Sequence, residues 1–332
     1  MSVVSKTEHF QPFRLFNLPT VAACNVISFM RIVEVIETSM TSSKARKKVK
    51  SLINAKLWKE IDICPGFDSN PIIQLVRNYD VWIISFGIKR YYPDTLSCMN
   101  YYRLLQTNLE DKTADWKMWI EYLTEFLESP IVELSMDISE LKDKQQSVID
   151  WIKSRQRSIE KLSIYGENVS TEDFAIVENN KGFTKEFLFE METDENFHSD
   201  FTFNGKSLTV YKGKWFKLNQ LLNSDCAEIY IVNSLSDSEW NTFLRKWINM
   251  ESNLNLKRLE FDIPELQSLF SILLLPSESV ASIATNAGMN MIENKFKNFM
   301  VIRRNDGAIG VLGIRWTKGH GSKVWTLSLT VK

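Results

Sequence analysis

Hydrophobic and polar positions change their rhythm at about residue 55. From Leu18-Pro19 onward, Ala22, Ala23, Val26, Ile27 and Met30 recur at helical spacing on one face and predict a first short helix. Val33 and Ile36 mark a second. Thr41-Ser42 can cap a third, with Ala45, Val49 and Leu52 on one side and lysines on the other. Three short helices bury too little surface to make a self-sufficient core. The segment therefore predicts a module that needs a partner, or a domain behind it.

Beyond it the pattern shifts to alternation. Residues 56–63 and 81–88 read as strands, the second being VWIISFGI, with Pro65-Gly66 and Asp68-Ser69-Asn70-Pro71 as the loop between them. Residues 89–112 show no readable period. Trp116, Trp119, Ile120, Leu123, Phe126 and Leu127 then form one apolar helical stripe, stopped at Ser129-Pro130.

From there a strand–helix unit recurs. Strand-like cores lie at 131–137, 159–165, 185–191, 206–211, 228–232 and 257–263. Leu134, Leu162, Phe187, Leu208, Ile229 and Leu259 serve as equivalent points, separated by 28, 25, 21, 21 and 30 residues. That spacing is close to the period of leucine-rich repeats, about 20–29 residues. Ser236 with Glu239, and Ser170 with Asp173, fit helix-capping pairs, and 216–222 reads as a shorter helix. Each unit leaves a strand face open until a neighbour stacks on it, and alternating βα units favour a parallel sheet with right-handed crossings. The end differs: 299–304, an Asp306-Gly307 turn, 309–316 and 323–331 predict antiparallel strands that cap the open edge. The expected fold is thus α+β to α/β. A three-helix module (10–55) precedes a second domain (56–332), a degenerate leucine-rich-repeat-like βα array at about 115–275 with an antiparallel end-cap at about 299–331.

Composition narrows the function. A chain of 332 residues with 44% hydrophobic and 12% aromatic content can pack a core, with disorder expected only over the first ten or so residues. The net charge of −1 hides an asymmetry: residues 1–60 hold ten Lys/Arg against four Asp/Glu, the remainder 30 against 37. The basic run 44–50 reads as a solvated helix face, or as a nuclear signal or nucleic-acid patch. Without interleaved aromatics, a nucleic-acid partner is not expected. Cys24, Cys64, Cys98 and Cys226 are scattered with no CxxC spacing, which argues against zinc or a disulfide framework and for a reducing intracellular home, cytoplasm or nucleus. No signal-like apolar run or membrane-length stretch is present, so no membrane association is expected. Asn168-Val169-Ser170 reads as a turn and helix cap rather than a glycosylation site.

Catalytic chemistry is not apparent. His9, His198 and His320 are not spaced as metal ligands or set beside a nucleophile. Gly310 and Gly313 lie in a strand pattern without the lysine and helix of a phosphate loop. The sequence therefore predicts no cofactor, no metal and no enzyme. Trp116, Trp240 and Trp247 keep helical company with Leu and Phe and belong to the core. Opposite the buried face of the repeating strands lie Tyr165, Tyr211 and Tyr230, with Glu133, Arg258 and Glu260; a curved parallel array places them on one surface. They are the candidate target-binding residues, the alternative being an ordinary polar sheet face.

Two stretches carry a family likeness. Phe13 and Leu15 leading into Leu18-Pro19, then Val26-Ile27, Met30, Glu34-Val35-Ile36, Ser39 and the Thr41-Ser42-Ser43-Lys44 turn resemble an F-box of the nematode-expanded kind. Residues of about 200–265 resemble the type-2 F-box-associated domain, through Trp215-Phe216 and Leu221-Leu222, Ser236, Trp240, Phe243-Leu244, Trp247-Ile248 and the run Leu256 to Glu260. Arg303-Arg304 and Asp306-Gly307 fit the end of that domain. The resemblance implies a non-catalytic substrate-recognition subunit of an SCF-type ubiquitin ligase. The F-box would dock on a Skp-family linker, held by a cullin that carries the RING subunit and conjugating enzyme, and the second domain would bind a target protein. By the same likeness, Leu18, Pro19, Val26, Ile27, Met30, Val33 and Ile36 would supply linker docking and module packing together. The basic module would steer it toward an acidic linker. The alternative is a leucine-rich-repeat-like interaction scaffold outside any ligase.

Overall fold

In the computed structural model, which describes residues 15–53, 60–78, 80–86, 100–106, 112–140, 142–232, 235–276, 279–283, 297–319 and 322–332, the chain divides into two compact units. The first holds 1–64 and 70–131, the second 65–69 and 132–332.

In the first unit, helices α1 (Thr20–Phe29), α2 (Ile32–Met40) and α3 (Ser43–Leu52) fall where the apolar spacing predicts them. Ala23, Ile27, Val35, Ile36, Ala45, Val49 and Leu52 are buried. Ser42 caps α3 by accepting from the Ala45 amide at 3.0 Å. At the start of α2, Arg31 offers no side-chain acceptor. Instead Glu34 reaches back, accepting from the Arg31 amide at 2.7 Å and its guanidinium at 3.1 Å, and those bonds hold the Glu34 carboxyl below the usual carboxylate range.

Helix α4 (Lys112–Leu127) packs against this trio. The Tyr122 hydroxyl shares a short hydrogen bond with the buried Ser39 hydroxyl, and the Arg46 guanidinium lies 4.4 Å from the Tyr122 ring centroid. Lys50 donates to the Glu125 carbonyl and pairs with Glu128, each at 3.0 Å. Part of the basic run is therefore engaged within the unit, Arg46 half-buried and Lys50 exposed but paired, while Lys44 and Lys47 are exposed. The helix ends at Glu128, whose φ of 54° turns the chain toward Ser129-Pro130.

Strands β1 (Asp62–Phe67), β2 (Ile72–Arg77), β3 (Asp80–Ser85) and β4 (Asn100–Gln106) correct the expectation for this region. The strand expected at 56–63 starts only at Asp62 and runs through Pro65-Gly66; residues 54–59 lie outside the described set. Proline and glycine ended the strand on paper because they usually mark turns. A proline breaks a strand only where the ladder calls on its missing N–H, and here Gly66 and Phe67 pair in parallel with Ser135 and Met136. β2, unassigned from sequence, pairs antiparallel with β3, and β4 pairs parallel to β3 inside the unreadable stretch.

In the second unit the repeating strands are β5 (Glu133–Asp137), β6 (Ile159–Val169), β7 (Thr184–Thr193), β8 (Ser207–Tyr211), β9 (Glu228–Ile231) and β10 (Arg258–Ile263). They lie side by side in chain order, every pair parallel. Leu134, Leu162, Phe187, Leu208, Ile229 and Leu259 sit opposite one another strand by strand, so the equivalent points form one buried row. Helices α5 (Lys142–Lys153), α6 (Thr171–Asn180), α7 (Leu218–Leu222), α8 (Asp237–Ile248) and α9 (Ser268–Ile272) fill connections between the strands. When strands are added always on the same side with right-handed crossings, the connecting helices fall on one sheet face. The apolar face is thus covered and the polar one left open. Ser170 and Ser236 make the expected capping boxes with Asp173 and Glu239.

Beyond β10 the sheet continues antiparallel. β14 (Ser322–Val331) pairs with β10, β13 (Ile309–Gly319) with β14, and β12 (Lys297–Arg303) with β13; β11 (Val280–Ile283), not expected from sequence, closes the edge. The last strand therefore lies directly beside β10, extending the buried row through Leu329 and Leu312.

The turn between β12 and β13 is latched to the core. Arg304 donates to Asp306 through Nε at 3.0 Å and Nη2 at 2.7 Å, and to the Leu254 carbonyl at 3.1 Å, while its guanidinium lies 5.3 Å from the Trp247 ring centroid. The Arg304 hydrogen bonds hold the Asp306 carboxyl down to about 2. A depressed folded pKa stabilises above the unfolded value of ~3.9 and is lost as pH falls through the folded one. Acid unfolding between about pH 4 and 2 should accordingly be shallower in Asp306→Asn than in the parent, as read by near-UV circular dichroism.

Candidate functional site

Two surfaces answer to the residues named from sequence, one in each unit. On the helical module, Ala22, Val26 and Phe29 follow i, i+4 and i+7 along α1, with Leu18 one turn earlier and Met30 at its end. Pro19 is exposed and Leu18, Val26 and Met30 are half-buried. Ile27 (2% exposed) and Ile36 (0%) face inward, so of the residues carried over by resemblance these two hold the module together. Val33 lies on α2 with its side chain outside the described residues. Two apolar residues were missed: Phe29 is 89% exposed and Val21 74%. They fall off the stripe that marks the core, and that departure was the signal available.

On the sheet, pairing register decides which residues share a face. Successive strand residues alternate sides, so Glu133, Lys161, Glu186, Ser207, Glu228 and Arg258 form one polar row. Two positions further along, Ser135, Ser163, Leu188, Thr209, Tyr230 and Glu260 form the next, and Asp137, Tyr165, Glu190 and Tyr211 a third. All six candidate target-binding residues lie on this one face. The Tyr211 and Tyr230 rings meet edge to face with centroids 5.6 Å apart.

Several of the charged candidates are already engaged. Arg258 donates through Nε to Glu260 at 2.8 Å, and Arg315 approaches the other Glu260 oxygen at 4.0 Å. Glu133 accepts from the Ser163 hydroxyl at 2.5 Å and pairs with Lys161 at 3.1 Å. The tyrosines are half-buried. Burial, with Glu133 and Glu190 nearby, pushes the Tyr165 phenol up to about 12; burial, with Asp262 nearby, does the same for Tyr230. Both stay neutral hydrogen-bond donors. Burial also raises Asp262, which accepts from Thr326 at 2.9 Å.

Residue type alone missed Glu190, Leu188 and Asp262. The signal lay in the repeat itself: Glu190 stands three residues after Phe187, as Tyr165 follows Leu162 and Tyr211 follows Leu208.

The remaining candidates for chemistry are dispersed. His198 is exposed, while His9, His320 and Cys98 lie outside the described residues. Cys226 is buried, donates to the Phe203 carbonyl at 3.1 Å and has its thiol pushed up to about 12 by burial, so it is held as an unreactive thiol. Among the described residues no group of three or more His, Cys, Asp or Glu could hold a metal ion, and no helix is long and apolar enough to cross a membrane.

Residues 196–261, which run from the β7–β8 connection into β10, match the family described as F-box associated. This part of the chain is therefore an F-box-associated domain. No curated protein and no solved structure matches the chain.

Proposed function

We propose that the chain is a substrate-recognition adaptor of an SCF-type ubiquitin ligase. Helices α1–α3 would act as the F-box and dock on a Skp-family linker, itself bound to a cullin. The polar face of the parallel sheet would hold the target protein. The observation that carries the reading is the F-box-associated match at 196–261, preceded in the chain by a three-helix module with an exposed apolar edge. On this reading the chain supplies no reacting group. Tethering a target beside the charged conjugating enzyme raises its effective concentration, and that proximity is the catalytic contribution.

A second reading, a leucine-rich-repeat-like interaction scaffold outside any ligase, keeps the sheet face and drops the docking. What favours it is the pairing of exposed Lys50 with Glu128 and the seating of Arg46 over the Tyr122 ring, which reduces the unpaired positive charge available to steer toward an acidic linker. Co-expression of the full chain with a Skp-family linker separates the two. The adaptor reading expects a complex of equal stoichiometry on size-exclusion chromatography; separate elution of the two proteins supports the scaffold.

A further inference from the structure

We propose that the Tyr165–Glu190–Tyr211 row receives a lysine or arginine side chain of the bound partner, so that the sheet face selects a basic segment. The proposal rests on the target-binding reading of that face and gives it a chemical class. Tyr165 on β6 and Tyr211 on β8 flank Glu190 on β7 in direct register. Neighbouring strands stand about 4.8 Å apart, which puts the two tyrosine positions about 10 Å apart with the carboxylate between them. A cation attracted to an aromatic face lies within about 6 Å of the ring centroid. One ammonium or guanidinium over Glu190 can therefore reach both rings and the carboxylate together.

The charge on the face points the same way. Glu190 is exposed and has no hydrogen-bond or ion-pair partner among the described residues. Lys212, whose charge it feels, is paired with Glu192 at 3.0 Å. The cations of the face lie beside carboxylates: Lys161 by Glu133, Arg258 and Arg315 by Glu260. Glu190 and Glu228 remain exposed, so an acidic partner would meet uncompensated negative charge and a basic one would neutralise it.

Leu188 supplies a separate indication. It is the one aliphatic side chain in its row, half-buried and two residues from Glu190 on the same strand. It offers an apolar patch on an otherwise polar face, and the methylene stem of a lysine or arginine, apolar along its length, can lie on it. Burial keeps the flanking phenols protonated, so their rings remain neutral platforms.

The test uses the full-length chain and three fluorescein-labelled decapeptides, alternating Lys-Ala, Gln-Ala and Glu-Ala, read by fluorescence anisotropy. The Lys peptide is expected to bind at least about tenfold more tightly than the other two, with Glu190→Gln and Tyr211→Leu each removing about tenfold; a factor of ten corresponds to about 1.4 kcal/mol, within the range of a partly desolvated cation–π contact. Glu172→Gln, at an exposed position on α6, serves as the control for general electrostatics and should leave binding unchanged. Circular dichroism establishes that each variant is folded. Equal affinity for the Lys and Glu peptides, or a Glu190→Gln variant that binds like the parent, overturns the proposal. So does a loss in Glu172→Gln as large as that in Glu190→Gln. None of these results touches linker capture by the helical module, so the two readings fail separately.

Discussion

Leu18→Ala combined with Pro19→Ala is expected to reduce capture of a Skp-family linker by at least tenfold while leaving the folded chain intact. The magnitude follows from burial: an aliphatic side chain taken fully out of water contributes about 1.5–3 kcal/mol, and tenfold in affinity is about 1.4. The exposure of these residues makes the test clean. Pro19 is exposed and Leu18 half-buried, so their truncation removes little from the core formed by Ala23, Ile27, Val35 and Ile36. Replacing Pro19 also leaves the first helical bond in place, since the Ala23 amide donates to the backbone carbonyl of residue 19 at 3.0 Å. Phe29→Ala should weaken capture comparably, because an 89%-exposed phenylalanine beside Val26 is the largest apolar group on that edge. Ile27→Ala would be a poor probe, as it would lower stability and capture together. A pull-down against immobilised linker, with the melting temperature of each variant measured in parallel, reads the outcome. Undiminished capture by the double variant would remove the docking face from the adaptor reading.

The exposure pattern also shows what the amino-acid pattern could and could not carry. Helical periodicity placed α1, α2 and α3, and the strand-like cores placed β5 to β10, because each of these elements buries one face and the burial leaves a period in the sequence. The six equivalent points were taken from the strand-like cores, and they pair across the sheet residue for residue. The failures have a common cause. β2 reads IIQLVR and β11 VASI, and neither alternates apolar with polar residues, so neither shows a strand period. Pro65-Gly66 carries turn chemistry locally, but strand pairing is a long-range property, here with Ser135 about seventy residues on. The polar face of the sheet was half legible. Tyrosines and arginine stand out by type, whereas Glu190 becomes conspicuous only when register sets it between two rings. The sequence likewise could not divide the docking list into packing and surface residues, since both kinds are aliphatic.

The second large effect is expected from Phe187→Ala, which should destabilise the second unit by about 3–5 kcal/mol, the range for removing a buried aromatic side chain without refilling its space. Phe187 is 1% exposed and occupies the third position of the buried row, between Leu162 and Leu208. Its ring stacks on Phe189 at 5.2 Å and meets Phe201 and Phe203 edge-on at 5.5 and 4.8 Å. Phe174 and Trp215 extend the same cluster through Phe189. These rings come from β7, α6, the 194–206 connection and, for Trp215, the 212–217 connection, so one truncation loosens several elements together. Relaxation into the space is limited by Gly205, where even an added Cβ would sit 2.6 Å from the Lys185 carbonyl oxygen and closer still to the Phe203 ring. The chain there is held at close approach. Phe187→Leu, which keeps most of the volume, should cost roughly 1–1.5 kcal/mol by comparison. Glu186, Leu188 and Glu190 project from the same strand on the opposite side, so the basic peptide should lose affinity in Phe187→Ala as the unit unfolds and retain it in Phe187→Leu. Urea titration followed by tryptophan fluorescence gives the stabilities. A Phe187→Ala variant as stable as the parent would mean that the aromatic cluster is not what holds β6, β7 and β8 in register.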